Sequence, residues 1–394
     1  MTPAGDGPIH MNEPQRILEA AIASGQLRSL AAVSCTSSGT DFTGAAGTAN
    51  EDGTTLTAEH IFSIASMTKA VTSVAAMMLV DHGLLALDKP IADWLPALAE
   101  PQVLVGFDGD TPLLRPANRP ITLRQLLTHS AGHGYTIWDA SLKQFRKLQP
   151  QARPIPGDNA LMSQPLVADP GERWTYSTCT DWVGLAVEAA SGQSLGTFFN
   201  QNIFAPIGMR DTTFKLSEAQ MKRLVRGYCR DDEGNLVPMP PGDGTSEERG
   251  GGGLFSTPTD YAMFLSACLR ELRAPAHEDT PLLSTQSRAG LSQSQFRANN
   301  VGELVTTTAQ ISNTVHFMRD YAPSWTLGFL RNSLPVPGRR GAGSLTWGGL
   351  NNTYFWLDPA NDVAGVVCTQ ILPFADGPTL EVFERFESAI YAVQ

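Results

Sequence analysis

Apolar residues recur at Val71, Val74, Ala75, Met78 and Leu79 within FSIASMTKAVTSVAAMMLVDHG. This i, i+3, i+4, i+7, i+8 spacing predicts a helix with one buried stripe, and Gly83 stands where a left-handed C-terminal cap is needed. An earlier amphipathic helix is predicted from Pro14 to Ser24. It leads into β-like runs from Leu30 to Cys35 and from Asp41 to Ala46, separated by the turn-forming Ser37, Ser38 and Gly39. From about Leu84 to Leu216 the pattern reads mainly helical with long Pro- and Gly-rich connections, and includes helical runs at Leu123 to Leu127 and Trp182 to Ala190. Strand character returns at Ser344 to Trp347, Thr353 to Leu357 and Val363 to Gln370, before a last helix near Leu380 to Ala392.

Strands at both ends with helices between them predict an α/β (α+β) fold in which the first and last segments pair in one sheet. Residues 1–83 and 217–394 then form the sheet domain, and 84–216 a mostly helical inserted domain. No internal repeat or low-complexity tract interrupts this pattern. The stretch from Gly242 to Gly253 reads as a flexible glycine-rich loop, bordering a groove or joining elements.

A chain of 394 residues can bury a sizeable core. Its 28 basic and 39 acidic residues leave a net charge of −11, which argues against a nucleic-acid backbone as partner and favours a small neutral or cationic molecule. No apolar run is long enough to span a membrane, and the start MTPAGDGPIHMNEPQ lacks the basic head and apolar core of a secretory signal, so a cytoplasmic location is expected. Cys35, Cys179, Cys229, Cys268 and Cys368 are scattered and odd in number. They indicate buried thiols, with neither a disulfide framework nor a zinc site. Cys179 lies three residues from Tyr176, and packing is its expected role.

The candidate chemistry begins at Ser66-Met67-Thr68-Lys69. Three residues are nearly one helical turn, so Ser66 and Lys69 project from the same side, with Ser66 in a first turn whose unpaired N–H groups can stabilise negative charge. Two further elements follow: Tyr176-Ser177-Thr178, in PGERWTYSTCTDW, and Trp347-Gly348-Gly349, in SLTWGGLNNTY. Alone, each has a plain structural reading: a helix cap, an aromatic packing residue, a strand bulge.

With all three in order, the chain resembles the serine β-lactamase and penicillin-binding protein superfamily, and most closely the family VIII carboxylesterases. The resemblance runs from about residue 13 to the C-terminus. It takes in Leu126 to Gly132, Ile203 to Met209, and the glycine run from Gly250 to Gly253 before Leu254 and Phe255. It implies a β-lactamase/transpeptidase-like architecture, an antiparallel sheet flanked by helices, with the active site in the groove between the two parts. It also implies that Ser66 attacks an ester carbonyl, that Tyr176 is the leading general base with Lys69 its partner, and that the N–H groups of Ser66 and Leu350 form the oxyanion hole. Trp347, Gly348, Gly349 and Thr178 would line the substrate site, and neither metal nor cofactor is expected.

Two departures bear on substrate. The superfamily's β-lactamases usually carry Lys-Thr-Gly at the third motif and Asn as the third residue of the tyrosine motif, where this chain has Trp347-Gly348-Gly349 and Thr178. Without that lysine no cation awaits a substrate carboxylate, and the indole offers an apolar wall. Small esters with short acyl chains are therefore the expected substrates. β-Lactamase or D-alanyl peptidase activity, acyl transfer to an alcohol or amine, and a non-catalytic sensor domain are the alternatives.

Three features invite other readings. Gly192-Gln193-Ser194-Leu195-Gly196 fits the G-x-S-x-G elbow pattern, but it follows a helical run instead of a strand, which predicts a connector or N-cap role for Ser194. His129 and His133 have no accompanying carboxylate spacing and are expected to be structural.

Overall fold

The computed structural model describes residues 13–149, 164–275, 282–296 and 301–393; the N-terminal stretch read above for a secretory signal lies mostly outside them. Helix α1 (Glu13–Ala23) buries Ile17 and Leu18 and leads into an antiparallel pair, β1 (Ser29–Thr36) and β2 (Gly39–Gly47). A two-residue strand, β3 (Phe62–Ser63), and a 3₁₀ turn (Ala65–Met67) precede α2 (Thr68–Asp81).

Every residue of α2 from Thr68 to Leu79 is buried, so the helix runs through the centre of the molecule and not along its surface with one covered stripe, as its periodicity predicts. Small and apolar residues on all sides make that possible, and Gly83 does follow the helix with φ +71°.

The segment expected to be mainly helical carries, after two 3₁₀ turns (Ile91–Asp93 and Pro96–Leu98), a hairpin of β4 (Gln102–Asp108) and β5 (Thr111–Pro116). Gly109 takes φ +57° at its turn. Helices then follow: α3 (Leu123–Leu127), started by a reciprocal Thr122 and Gln125 capping box, α4 (Ala140–Leu148), α5 (Cys179–Ser191) and α6 (Leu195–Phe199). Two short turns, α7 (Ala205–Ile207) and α8 (Glu218–Met221), lead to β6 (Tyr228–Arg230), β7 (Leu236–Pro238) and β8 (Phe255–Ser256). Helices α9 (Pro258–Arg273) and α10 (Thr285–Ser292) return the chain to the sheet.

The C-terminal strands are β9 (Pro323–Trp325), β10 (Leu330–Asn332), β11 (Leu345–Gly349), β12 (Thr353–Asp358), β13 (Val363–Cys368) and β14 (Ile371–Leu372), and α11 (Gly377–Ala392) ends the fold. Seven strands form one antiparallel sheet in the order β2-β1-β13-β12-β11-β10-β9, so the first and last segments pair, with Val33 opposite Val366. Strands β11, β12 and β13 are buried on both faces, because α1 and α11 cover one side and α9 the other. Phe42 meets Phe386 on the first side and Tyr261 meets Phe355 on the second. Among the described residues, no helix is long and apolar enough to cross a membrane.

Candidate active site

Ser66 stands on a strained turn that its surroundings hold in place. Ala65 has φ +42°, a conformation costly for a residue with a Cβ. The N–H of Ile64 donates to Leu254 O at 3.0 Å, Thr68 Oγ1 donates to Ala65 O at 2.7 Å, and Tyr261 Oη donates to Met67 O at 3.0 Å. Strand β3, paired with β8, anchors the approach. Ser66 therefore belongs to the 3₁₀ turn before α2, not to the helix's own first turn, and its half-buried hydroxyl remains reachable.

One turn on, Lys69 is 1% exposed, with its Nζ at 3.1 Å from Ser66 Oγ, 3.1 Å from Tyr135 Oη and 2.7 Å from Gly251 O. An ammonium has three N–H donors for these three oxygens. A neutral amine can satisfy Tyr135 and Gly251 and turn its lone pair to the serine. Gly251 is itself fixed from below, since its N–H donates to Asp181 Oδ1 at 3.0 Å. Burial raises the Asp181 carboxyl above its ordinary range, and the charges of Lys69 and Arg249 pull it back. The glycine run packs so closely that a Cβ on Gly251 would lie 2.5 Å from Asp181 Oδ2, and one on Gly250 2.3 Å from Thr180 O. Thr72 Oγ1 donates to Gly250 O at 2.7 Å and ties the run to α2.

Tyr176 and Tyr135 flank the lysine, whose Nζ lies 4.9 Å and 5.4 Å from their ring centres. Tyr176 Oη accepts the indole N–H of Trp347 at 3.1 Å. Burial holds the Tyr135 phenol well above its ordinary range, and the neighbouring Asp181 and Tyr176 add to the effect. Trp325 and Phe317 close on Trp347, each with its ring centre at 4.7 Å, and Trp138 meets Tyr176 at 5.4 Å. The chamber beside the lysine is thus largely aromatic.

Strand β11 brings its glycines against the turn that carries Ser66. A Cβ on Gly349 would lie 2.2 Å from Ile64 O, and one on Gly348 would strike the Tyr354 ring at 2.6 Å, so only glycine allows this approach. Among the described residues, no turn, loop or side-chain acceptor takes the N–H of Ser66 or of Leu350.

Ser66, Lys69, Tyr176 and Trp347 thus come together, with Gly348 and Gly349 following Trp347 on β11 and Leu350 in the turn just after it. Thr178 does not join their hydrogen bonds; it heads α5, and its carbonyl accepts the N–H of Asp181 at 3.0 Å. The hydroxyl of Ser66 accepts a hydrogen bond from Lys69 Nζ, whereas Tyr176, expected as the leading base, accepts one from Trp347. Sequence reasoning missed Tyr135 and the Gly251 carbonyl, which meet Lys69, and Asp181, which holds the Gly251 peptide; these contacts join segments far apart in the chain.

The competing features have structural roles. Ser194 caps α6, accepting the N–H of Thr197 at 3.3 Å, after Gly192 ends α5 with φ +69°. His129, at φ +53°, lies 3.3 Å from Ser177 Oγ, and burial followed by the charge of Lys69 lowers its imidazole well below the ordinary value. His133 stacks on Trp182, and burial lowers it to about 4. The Cys179 thiol is pushed up to about 12 by burial, as suits a packed and unreactive group. Among the described residues, no group of His, Cys, Asp and Glu could hold a metal ion.

The Beta-lactamase family model matches residues 15–386, and the chain belongs to that family. A lovastatin esterase of Penicillium rubens is 30% identical over 354 residues, covering 84% of this chain and 85% of that protein. A monacolin J acid methylbutanoyltransferase of Aspergillus terreus is 30% identical over 343 residues, covering 84% of this chain and 81% of its own length. The LovD6 mutant of simvastatin synthase (LovD) from Aspergillus terreus has a similar structure, with a TM-score of 0.82, 27% identity, and coverage of 97% of this chain and 96% of that one. The fold is serine β-lactamase-like.

Proposed function

We propose that this chain is a serine esterase of the family VIII kind, which cleaves small carboxylic esters with short acyl chains through an acyl-enzyme on Ser66. The observation that carries this reading is the 3.1 Å contact between Ser66 Oγ and the buried Lys69 Nζ. A serine hydroxyl is a weak nucleophile until a base lies within hydrogen-bond reach. Lys69 is so placed, and Gly251 and Tyr135 hold it there.

In this reading, Ser66 Oγ bonds to the ester carbonyl carbon as its proton passes to Lys69. The oxyanion is received by the N–H groups of Ser66 and Leu350. The bond from carbon to the alcohol oxygen then breaks, and Tyr176 gives that oxygen a proton. The Lys69 ammonium, 4.9 Å from the Tyr176 ring centre, stabilises the resulting tyrosinate. In the second half, the tyrosinate takes a proton from water, the hydroxide oxygen bonds to the acyl carbon, and Ser66 leaves with the proton held by Lys69. Trp347 in place of a lysine leaves no free cation for a β-lactam carboxylate at that position, which supports esters over β-lactams.

A second reading, acyl transfer to an alcohol instead of water, is favoured by the relative named as a methylbutanoyltransferase. Both share the acyl-enzyme. Intact-mass measurement after mixing with p-nitrophenyl acetate should show a 1:1 acetyl adduct on Ser66, lost in Ser66→Ala and retained in Ser194→Ala. Adding alcohols should then separate the two, since an acyltransferase forms a new ester faster than free acetate. An adduct that persists in Ser66→Ala would refute both.

A further inference from the structure

We propose that Asp181 is a positioning residue for Lys69: it fixes the carbonyl that receives the amine and supplies the counter-charge for the ammonium formed when Ser66 gives up its proton. This rests on the esterase reading above and accounts for how a buried amine can serve as its base.

Lys69 stands in the first turn of α2 and Asp181 in the first turn of α5, and the two helices pack together with Gly250 and Gly251 between them. On the α2 side, Thr72 Oγ1 donates to Gly250 O and Lys69 Nζ to Gly251 O, each at 2.7 Å. On the α5 side, the N–H of Gly251 donates to Asp181 Oδ1 at 3.0 Å, and a Cβ on Gly250 would lie 2.9 Å from Gly184 Cα. A single glycine residue therefore separates the carboxylate from the amine, with no room for a side chain on it.

That separation suits a base. A carboxylate in direct contact would hold the lysine as an ammonium, unable to take a proton from serine. With Gly251 between them the attraction persists, weakened by distance, and the amine stays free to face Ser66 Oγ at 3.1 Å. Lys69 is 1% exposed and Asp181 5%, so solvent screens the pair little. As the Ser66 proton moves to Nζ a buried positive charge appears, and without a partner such a charge is costly. Opposite an ionised Asp181, the same transfer turns a lone buried anion into an opposed pair, and the start of α5 favours that anion.

The other titratable groups around the pair do not take this role. His129, Tyr135 and Cys179 are held in their neutral forms at neutral pH by burial. Tyr176 lies across Lys69 as the proposed proton donor. Arg249 and Glu247, on the loop before the glycine run, lie 3.8 Å from each other with exposed side chains. Burial pushes the Asp181 carboxyl up, and the charge of Lys69 is the largest pull the other way, as expected of two groups within electrostatic reach.

Asp181→Asn separates charge from contact, because an amide oxygen can still accept the Gly251 N–H. On p-nitrophenyl acetate its kcat should fall at least ~10-fold, and the acid limb of its kcat/KM profile should move to lower pH by about 1 unit or more, since loss of the counter-charge penalises the protonated amine. Asp181→Ala removes charge and acceptor together, and should show the same displacement of the limb with a larger loss of kcat. Where turnover is too slow, the rate at which Ser66 is acylated, followed by intact mass over the same pH range, reads the limb instead. A residue that only packs would lower activity at every pH and leave the limb in place. That outcome, or a shift to higher pH, in variants that still acylate Ser66 overturns the proposal and leaves the esterase reading standing. Loss of the fold in both variants, seen by circular dichroism, assigns Asp181 to folding alone and also overturns it. Absence of a Ser66 adduct with any ester in the wild-type protein overturns the esterase reading and this one with it.

Discussion

The indole N–H of Trp347 donates to Tyr176 Oη at 3.1 Å, with ring centres 4.7 Å apart, so the residue that replaces the superfamily's lysine bonds directly to the proposed proton donor. In the proposed mechanism, a neutral donor at this oxygen would steady a developing tyrosinate without bringing a second cation beside Lys69. Trp347 is 4% exposed and enclosed by Trp325 and Phe317, so its function is inseparable from its packing.

Trp347→Phe keeps a ring and removes the hydrogen bond. A hydrogen bond to a charged group is worth about 1.5–3 kcal/mol, so kcat on small esters should fall about 10- to 100-fold. Steady-state kinetics on p-nitrophenyl acetate would measure it, and an unchanged kcat would show that the indole N–H serves only packing.

Tyr135 and Tyr176 both face Lys69, yet their substitutions should differ. Tyr135→Phe removes one of the oxygens around Nζ and should lower kcat about 10-fold, whereas Tyr176→Phe removes the proton donor and should cost about 10³-fold. Burial keeps the Tyr135 phenol protonated well above pH 10.0, so the pH–rate profile of Tyr135→Phe should retain the wild-type alkaline limb. Loss of that limb would make Tyr135 the titrating group.

Glycine at 251 and 349 is required by space. Cβ atoms there would lie 2.5 Å from Asp181 Oδ2 and 2.2 Å from Ile64 O, so Gly251→Ala and Gly349→Ala should each destabilise the fold by about 1–3 kcal/mol and lower kcat by at least ~100-fold. Gly252→Ala is the control, because its Cβ would meet nothing closer than 3.9 Å. Equal losses in all three would point to flexibility of the run and not to steric fit.

Stability should fall on acidification below the ordinary histidine range. His133 is lowered from 6.5 to about 4 by burial, so between those values the unfolded chain binds a proton that the folded one does not. Its contribution is complete above pH 6.5 and is lost at about 1.4 kcal/mol per pH unit as pH falls toward 4. His129 acts in the same direction. Urea unfolding at several pH values should show the decline, and His133→Leu should flatten it. A slope as steep in the variant as in the wild type would assign the effect to other groups.

The chain's periodicity was enough to mark α2, the β1–β2 pair, the C-terminal strands and α11, because those patterns depend on neighbours within a turn or along a strand. The pairing of Ser66 with Lys69 is equally local, since three residues of helical chain bring them together wherever the helix is placed. The β4–β5 hairpin was missed although Val103, Val105 and Phe107 alternate before an Asp-Gly turn; Val105, Leu113 and Leu114 lie exposed, so that alternation does not mark a buried face.

Tertiary structure decided the rest. Asp181 holds the Gly251 peptide that faces Lys69 from 70 residues away, and Tyr135 reaches Lys69 across 66, so neither contact has a signature in its own segment. Likewise, Trp347 meets Tyr176 from 171 residues away. The sequence by itself determined the closeness of Ser66 and Lys69 and the class of fold, because short-range backbone geometry and the strand and helix patterns set them. The choice of Lys69 as the serine's direct partner, the engagement of Tyr176 by an indole and the closing of the oxyanion strand on Ile64 depended on which surfaces the folded chain pressed together.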